Sequence, residues 1–164
     1  PGARALINTM VIQPGMRVLD LGCGAGTVSL AAVFASENVL VHAVDSNARA
    51  IQCLERGAAK NEATTITAVL DAEGQSPESD QFDLALANPP YFSNYAIADL
   101  FLDTAHRALK PRAKVLIVTK TPNWFVERMP LWYADVEVSE VKGYWIVSGR
   151  KRPIDASDRR RSHD

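Results

Sequence analysis

The stretch Arg17-Val18-Leu19-Asp20-Leu21-Gly22-Cys23-Gly24-Ala25-Gly26 decides how the chain is organised. Its first half is a short apolar run of the kind a strand buried on both faces requires. Its second half sets glycine at every other position, where the backbone can turn sharply and pass close to a ligand. A helical pattern over residues 27–36 follows, so the segment reads as strand, tight turn and helix, with the turn at the carboxyl edge of a sheet.

Outward from this segment the alternation repeats. A helix is expected over 3–11, stopped by Pro14-Gly15, and strands over 39–44 and 65–70 flank a helix over 47–60 whose stripe is Ala50, Ile51, Leu54 and Ala58. The eleven residues 71–81 are polar, contain Gly74 and Pro77, and leave no room for a full crossover helix before a strand over 82–87. A long helix over 95–109 turns Ile97, Leu100, Phe101, Thr104, Ala105 and Ala108 inward and ends at Lys110-Pro111. A strand over 114–119, a shorter helix over 123–131 after Pro122, and two β-rich runs at 136–141 and 144–148 joined by Lys142-Gly143 complete the chain. The expected fold class is therefore α/β: a seven-stranded, mainly parallel sheet with helices on both faces and a C-terminal antiparallel hairpin.

Composition narrows the class further. With 164 residues and 47% hydrophobic content, the chain is long enough for one domain with its own core, which excludes a disulfide-stapled scaffold and a disordered tail. Lys and Arg number 18 against 19 Asp and Glu, so no global field marks the whole chain for nucleic acid. The charge is unevenly spread, since residues 150–164 hold six basic residues against three acidic ones. Residues 152–164 are read as a basic, disordered tail; contact with RNA phosphates is the alternative. Cys23 and Cys53 form no CxxC pair and have no His neighbours, so no metal site is expected, and the usage fits a reducing cytosol. No apolar run approaches the roughly 20 residues that span a bilayer, so a cytoplasmic protein is expected. The chain opens on Pro1 rather than Met, as a processed product, an expressed fragment or a terminus lost to disorder would.

Two further features carry chemistry. Asp45 closes the second strand, 19 residues after Gly26, where a carboxylate can accept both hydroxyl hydrogens of a ribose. The glycine spacing is GxGxG, and Thr27 stands where a dinucleotide fingerprint would place its third glycine. Asp20, just before the turn, suits a cationic sulfonium cofactor with an amino-acid tail better than a pyrophosphate, so S-adenosylmethionine is favoured. The fourth strand ends in Asn88-Pro89-Pro90-Tyr91 at the same edge. The prolines fix the backbone and remove N–H donors, the Asn88 amide and a backbone carbonyl offer acceptors to an NH₂ group, and the Tyr91 ring offers a stacking face.

Together these stretches resemble the class I S-adenosylmethionine-dependent methyltransferases that act on amino groups through an (N/D)PP(Y/F/W) motif. The likeness is greatest to the small methyltransferase domain family, which includes ribosomal RNA guanine-N2 enzymes. It runs from Gly2-Ala3-Arg4 through the glycine turn, Val44-Asp45 and Phe82-Asp83 to the closing hairpin, and so covers residues 1–151 as the catalytic domain.

The resemblance implies a Rossmann-like fold in which Gly22, Cys23, Gly24, Ala25 and Gly26 lie against the cofactor. Asp45 and Ser46 would hold its ribose, and Asp71 and Ala72 would lie near its adenine. Asn88 and the Pro89 carbonyl would hold the target amine, with Pro90 and Tyr91 completing the motif. Tyr91 departs from the guanine-N2 pattern, where Phe is usual, and matches adenine-N6 and protein-glutamine enzymes. The expected activity is therefore N-methylation of a base in ribosomal RNA. A protein-glutamine or DNA-adenine acceptor and a non-catalytic RNA-binding module remain the alternatives.

The remaining residues carry less. His42 reads as a packed or edge histidine, His106 as an outward or flanking residue of the long helix, and His163 as part of the tail. Cys23 reads as a small residue that fits its turn. Trp124, Trp132 and Trp145 read as packing residues, with base stacking as the alternative.

Overall fold

The structure, a computed structural model, describes residues 1–90 and 95–153. Tyr91 and the tail from residue 154 lie outside the described residues. The elements run α1 (Gly2–Thr9), β1 (Arg17–Leu21), α2 (Thr27–Ala35), β2 (Leu40–Asp45), α3 (Ala48–Lys60), β3 (Ile66–Leu70) and β4 (Phe82–Ala87). They continue with α4 (Ala96–Ala108), β5 (Leu109–Thr119), α5 (Pro122–Arg128), a 3₁₀ turn at Met129–Leu131, β6 (Tyr133–Val141) and β7 (Tyr144–Lys151).

The strands form one sheet in the order β3-β2-β1-β4-β5-β7-β6. β1 to β5 are mutually parallel, and β7 runs antiparallel between β5 and β6. The chain moves outward from β1 to β3, then returns to lay β4 on the other side of β1. That reversal creates a switch point between β1 and β4, where ligands of open parallel sheets bind.

Both faces of the sheet are covered. On one face Leu6 of α1, Ala32 of α2 and Leu54 of α3 are packed with Val18, Val41, Ala43, Leu84 and Leu116. On the other, Leu102 and Ala105 of α4, Phe125 of α5, Met129 and Tyr133 meet Leu19, Leu21, Ala85 and Ile117. Buried Tyr133 donates its hydroxyl to the Leu102 carbonyl at 2.7 Å, which satisfies the one polar atom it brings into this layer.

The local signals explain most boundaries. Asn47 caps α3 by accepting the Arg49 N–H at 2.9 Å. Lys142 and Gly143 take φ of 51° and 78°, the left-handed pair that a two-residue hairpin requires.

The start of β5 differs from expectation. β5 begins at Leu109, earlier than the expected residue 114, because Leu109 pairs with Phe82 before the ladder is interrupted and resumes at Lys114 opposite Leu84. Pro111 supplies no N–H there and Arg112 takes φ of 68°, which produces a bulge. His106 takes the flanking position of the two expected: it is half-buried, edge-on to Tyr133 with ring centroids 5.6 Å apart.

The basic C-terminal segment also begins inside the fold. Lys151, the last residue of β7, is 3% exposed and donates to Asp80 Oδ1 at 2.7 Å and to the Leu109 carbonyl at 2.9 Å. Removing this ammonium leaves a buried carbonyl unpaired, so Lys151→Ala is expected to lower stability by about 1–3 kcal/mol. Arg152→Ala, at an exposed neighbour, should stay within about 0.5 kcal/mol of the parent in urea unfolding.

Candidate functional site

The carboxyl ends of β1, β2, β3 and β4 open on one cavity of about 550 Å³. Gly22 contributes from the glycine turn, Asp45 and Ser46 from the end of β2, and Asp71, Ala72 and Gly74 from the loop after β3. Asn88, Pro89 and Pro90 follow β4, and Ile97, Leu100, Phe101 and Thr104 close the space from α4. Its size falls within the range of small-molecule sites.

The turn is built for this edge. Gly22 takes φ of 71°, and a Cβ there would stand 3.0 Å from the Phe101 ring. Gly26 takes φ of 89° as the N-terminal cap of α2, and a Cβ would collide with Leu54 at 2.1 Å. A side chain at either position would push α4 or α3 away from the strand end.

Asp45 joins the turn to α3. Its Oδ2 accepts the Gly24 N–H at 2.9 Å, and its Oδ1 accepts the Asn47 N–H at 2.9 Å. Each oxygen has one acceptor position left for an incoming hydroxyl, as a ribose requires.

Asp71 behaves differently. Burial favours its neutral form, but backbone N–H groups of Ser76, Glu73 and Gly74, with the Ser76 hydroxyl, outweigh that and hold its carboxyl below the usual range. Its carboxylate folds the loop, and the loop in turn forms the cavity wall. Arg107 of α4 secures the same loop by donating to the Pro77 and Gly74 carbonyls.

Of the residues singled out in the sequence, Gly22, Asp45, Ser46, Asp71, Ala72, Asn88, Pro89 and Pro90 line the cavity. Asp20, Cys23, Gly24, Ala25 and Gly26 are not among its lining residues; Asp20, Cys23 and Gly26 are buried, Gly24 is half-buried and Ala25 is exposed. Asp20 is 3% exposed and accepts the Ser29 hydroxyl at 2.6 Å. Burial pushes its pKa up to about 6; the Ser29 bond opposes this and the Asp45 charge adds to it. Cys23 is buried as well, and burial with the nearby Asp20 and Asp45 charges pushes its thiol up to about 12, so no thiolate nucleophile exists at neutral pH.

Ile97, Leu100, Phe101 and Thr104 were expected to face the core. All four line the cavity, Phe101 being packed against the core as well, while Ala98, Leu102, Ala105 and Ala108 of the same helix enter the core. Among the described residues the Asn88 side chain has no hydrogen-bond partner. No group of three potential metal ligands occurs among them either, and none of their helices is long and apolar enough to cross a membrane.

A family model for the methyltransferase small domain matches residues 1–148. The chain belongs to the small methyltransferase domain family. It is 33% identical over 123 residues to the ribosomal RNA large subunit methyltransferase G of Magnetococcus marinus, covering 71% of this chain and 33% of that protein. It is 29% identical over 155 residues to the ribosomal RNA small subunit methyltransferase C of Shewanella loihica, covering 92% of this chain and 44% of that one. The chain thus spans less than half the length of these two relatives. Among solved structures, TrmN from Thermus thermophilus superposes with a TM-score of 0.76 at 27% identity, covering 91% of this chain and 48% of that chain.

The cofactor of this methyltransferase fold is S-adenosylmethionine, and the cavity fits it. Val44, Leu100 and Phe101 would supply apolar walls to a purine, Asp45 has lone pairs that could accept two hydroxyls, and Asn88-Pro89 lines the same cavity at the end of β4. Asp45→Ala removes the Gly24 anchor together with the oxygens that would accept the ribose hydroxyls. Calorimetry should show affinity for S-adenosylmethionine falling about tenfold or more, with charge-assisted bonds worth roughly 1.5–3 kcal/mol each, and no binding of NADH to either protein.

The buried Asp20 predicts a pH dependence of stability. Between about pH 4 and 6 the folded protein retains a carboxyl proton that the unfolded chain has released, so the stability this group contributes is full below pH 4 and is lost as pH rises through 6. Asp20→Asn should then be more stable than the parent at pH 7, by on the order of 3 kcal/mol, with the gap closing below pH 4 in urea titrations.

Proposed function

We propose that this chain transfers a methyl group from S-adenosylmethionine to an exocyclic amino nitrogen of a base in ribosomal RNA. The observation that carries the reading is Asn88-Pro89-Pro90 at the end of β4, with the Asn88 amide on the wall of the cofactor cavity and without a hydrogen-bond partner among the described residues. The names of the two ribosomal RNA relatives support the substrate. The setting is then the cytosol, which suits the free thiols of Cys23 and Cys53.

The bound cofactor supplies an electrophilic methyl group. The chain's own residues then need to orient the acceptor. The Asn88 amide oxygen and the adjacent backbone carbonyl accept the two N–H hydrogens of the amine, drawing its lone pair out of conjugation with the ring and toward the cavity. As positive charge develops on the nitrogen these dipoles hold it more strongly, so no strong base is needed to begin the transfer. The two prolines keep the segment from rearranging and bring no competing N–H donors.

Labelled cofactor incubated with unmodified ribosomal RNA, or with a release-factor protein carrying an acceptor glutamine, tests the substrate. Label on a base amine supports the reading; label on the protein alone replaces it. Asn88→Ala should lower kcat about a hundredfold to a thousandfold with little change in KM, since the contact strengthens only in the transition state. Asn88→Asp should be milder, because a carboxylate also accepts hydrogen bonds. Full methyl transfer by Asn88→Ala would exclude the mechanism.

A further inference from the structure

Pro89 and Pro90 line two spaces. One is the cofactor cavity, and the other is a small depression at the carboxyl ends of β4 and β5, bounded also by Tyr95, Ala98, Thr119, Thr121 and Phe125. A ligand in the depression therefore lies next to the motif that holds the amine, on the side away from the cofactor.

Tyr95, the N-terminal cap of α4, stacks on Trp124 of α5 with ring centroids 4.6 Å apart and planes 7° from parallel. Trp124 is backed by the buried Phe125, edge to face at 4.9 Å and 87°. The stack is thus fixed from behind. Trp124 lies on one face of the Tyr95 ring, and Tyr95, which borders the depression, is 37% exposed.

An exposed aromatic whose far side is already stacked is a surface that another flat ring can extend. At about 20 Å³ the depression is too small to enclose a base, so it offers a platform and not a pocket. Thr119 and Thr121 edge it, the buried Thr119 Oγ1 accepting the Thr121 N–H at 3.0 Å, and the exposed Lys120 between them in sequence holds its ammonium 5.0 Å from the Tyr144 ring centroid. A ring face with an exposed cation near the same strand end suits a nucleotide's base and its backbone phosphate.

We propose that the Tyr95–Trp124 stack is a platform on which an unpaired RNA base extends the aromatic column beside the target amine. The inference rests on the RNA reading above and deepens it. It assigns Tyr95 as a positioning residue for the substrate strand, with Trp124 and Phe125 holding its ring in place.

The test uses the full chain and a fluorescein-labelled single-stranded oligo(rA) decamer, because stacking on an aromatic face tolerates any base. Tyr95→Ala and Tyr95→Leu should each weaken binding about 5- to 100-fold, the range that one lost stacking contact corresponds to, while Tyr95→Phe should stay within about twofold. None of the three should change S-adenosylmethionine affinity, since Tyr95 is not part of the cofactor cavity. An oligonucleotide carrying 2-aminopurine should lose fluorescence on binding the parent and keep it with Tyr95→Leu, a signature that a purely structural role would not produce.

Parent-like RNA affinity in Tyr95→Leu overturns the platform and leaves the RNA reading intact. If the parent binds no oligonucleotide, the RNA reading fails and the platform with it. If the parent binds a glutamine-bearing peptide instead, and Tyr95→Leu abolishes that binding, the surface serves a protein substrate and the RNA platform is overturned.

Discussion

The eleven residues between β3 and β4 set the constraint on which the site depends. A crossover helix in that interval would lie on the sheet face beside α4 and fill the space where the cofactor belongs. In its place is a loop without regular structure, and such a loop needs fixed points if it is to act as a wall. It has four of them. Asp71 gathers three backbone N–H groups at its start, Arg107 holds two carbonyls in its middle, Ser76 is 3.1 Å from His42, and Asp80 is paired to Lys151. These contacts reach β2, α4 and β7, so the wall is tied to three elements distant in sequence.

This division between residues that touch the cavity and residues that hold those that do runs through the whole site. Asp45 serves on both sides, since it fastens the glycine turn and keeps open lone pairs. Asp20 serves on one side only: its carboxyl is buried beneath the turn, where its charge is disfavoured, and its Ser29 bond anchors the start of α2 to β1.

Much of this was legible in the sequence because it is encoded locally. The strand over 17–21 and the strand over 82–87 match the observed β1 and β4, since a run of branched and apolar residues bounded by glycine or proline leaves little choice. The missing crossover helix was legible for the same reason. Its consequence was not, because a helical stripe shows which residues avoid water without showing whether they meet a sheet or an enclosed space. Hence Ile97, Leu100 and Phe101 read as core. The early start of β5 was hidden by Pro111, whose usual meaning is a break in structure. The boundary at residue 151 was legible, but not the role of Lys151, since only the third dimension brings Asp80 and the Leu109 carbonyl to its ammonium.

The two stripes of α4 limit how the cavity can change over evolution or by engineering. Ile97, Leu100, Phe101 and Thr104 border the ligand, while Ala98, Leu102 and Ala105 are interleaved with them and locked against the sheet. The helix cannot roll to widen the site without unseating its small-residue side, which packs too closely to tolerate rotation. Backbone adjustment is therefore closed as a route to new cofactor sizes, and variation must proceed by exchanging single side chains on the ligand-facing stripe. A bulkier sulfonium analogue would be admitted by trimming Leu100 or Ile97, with the scaffold left as it is.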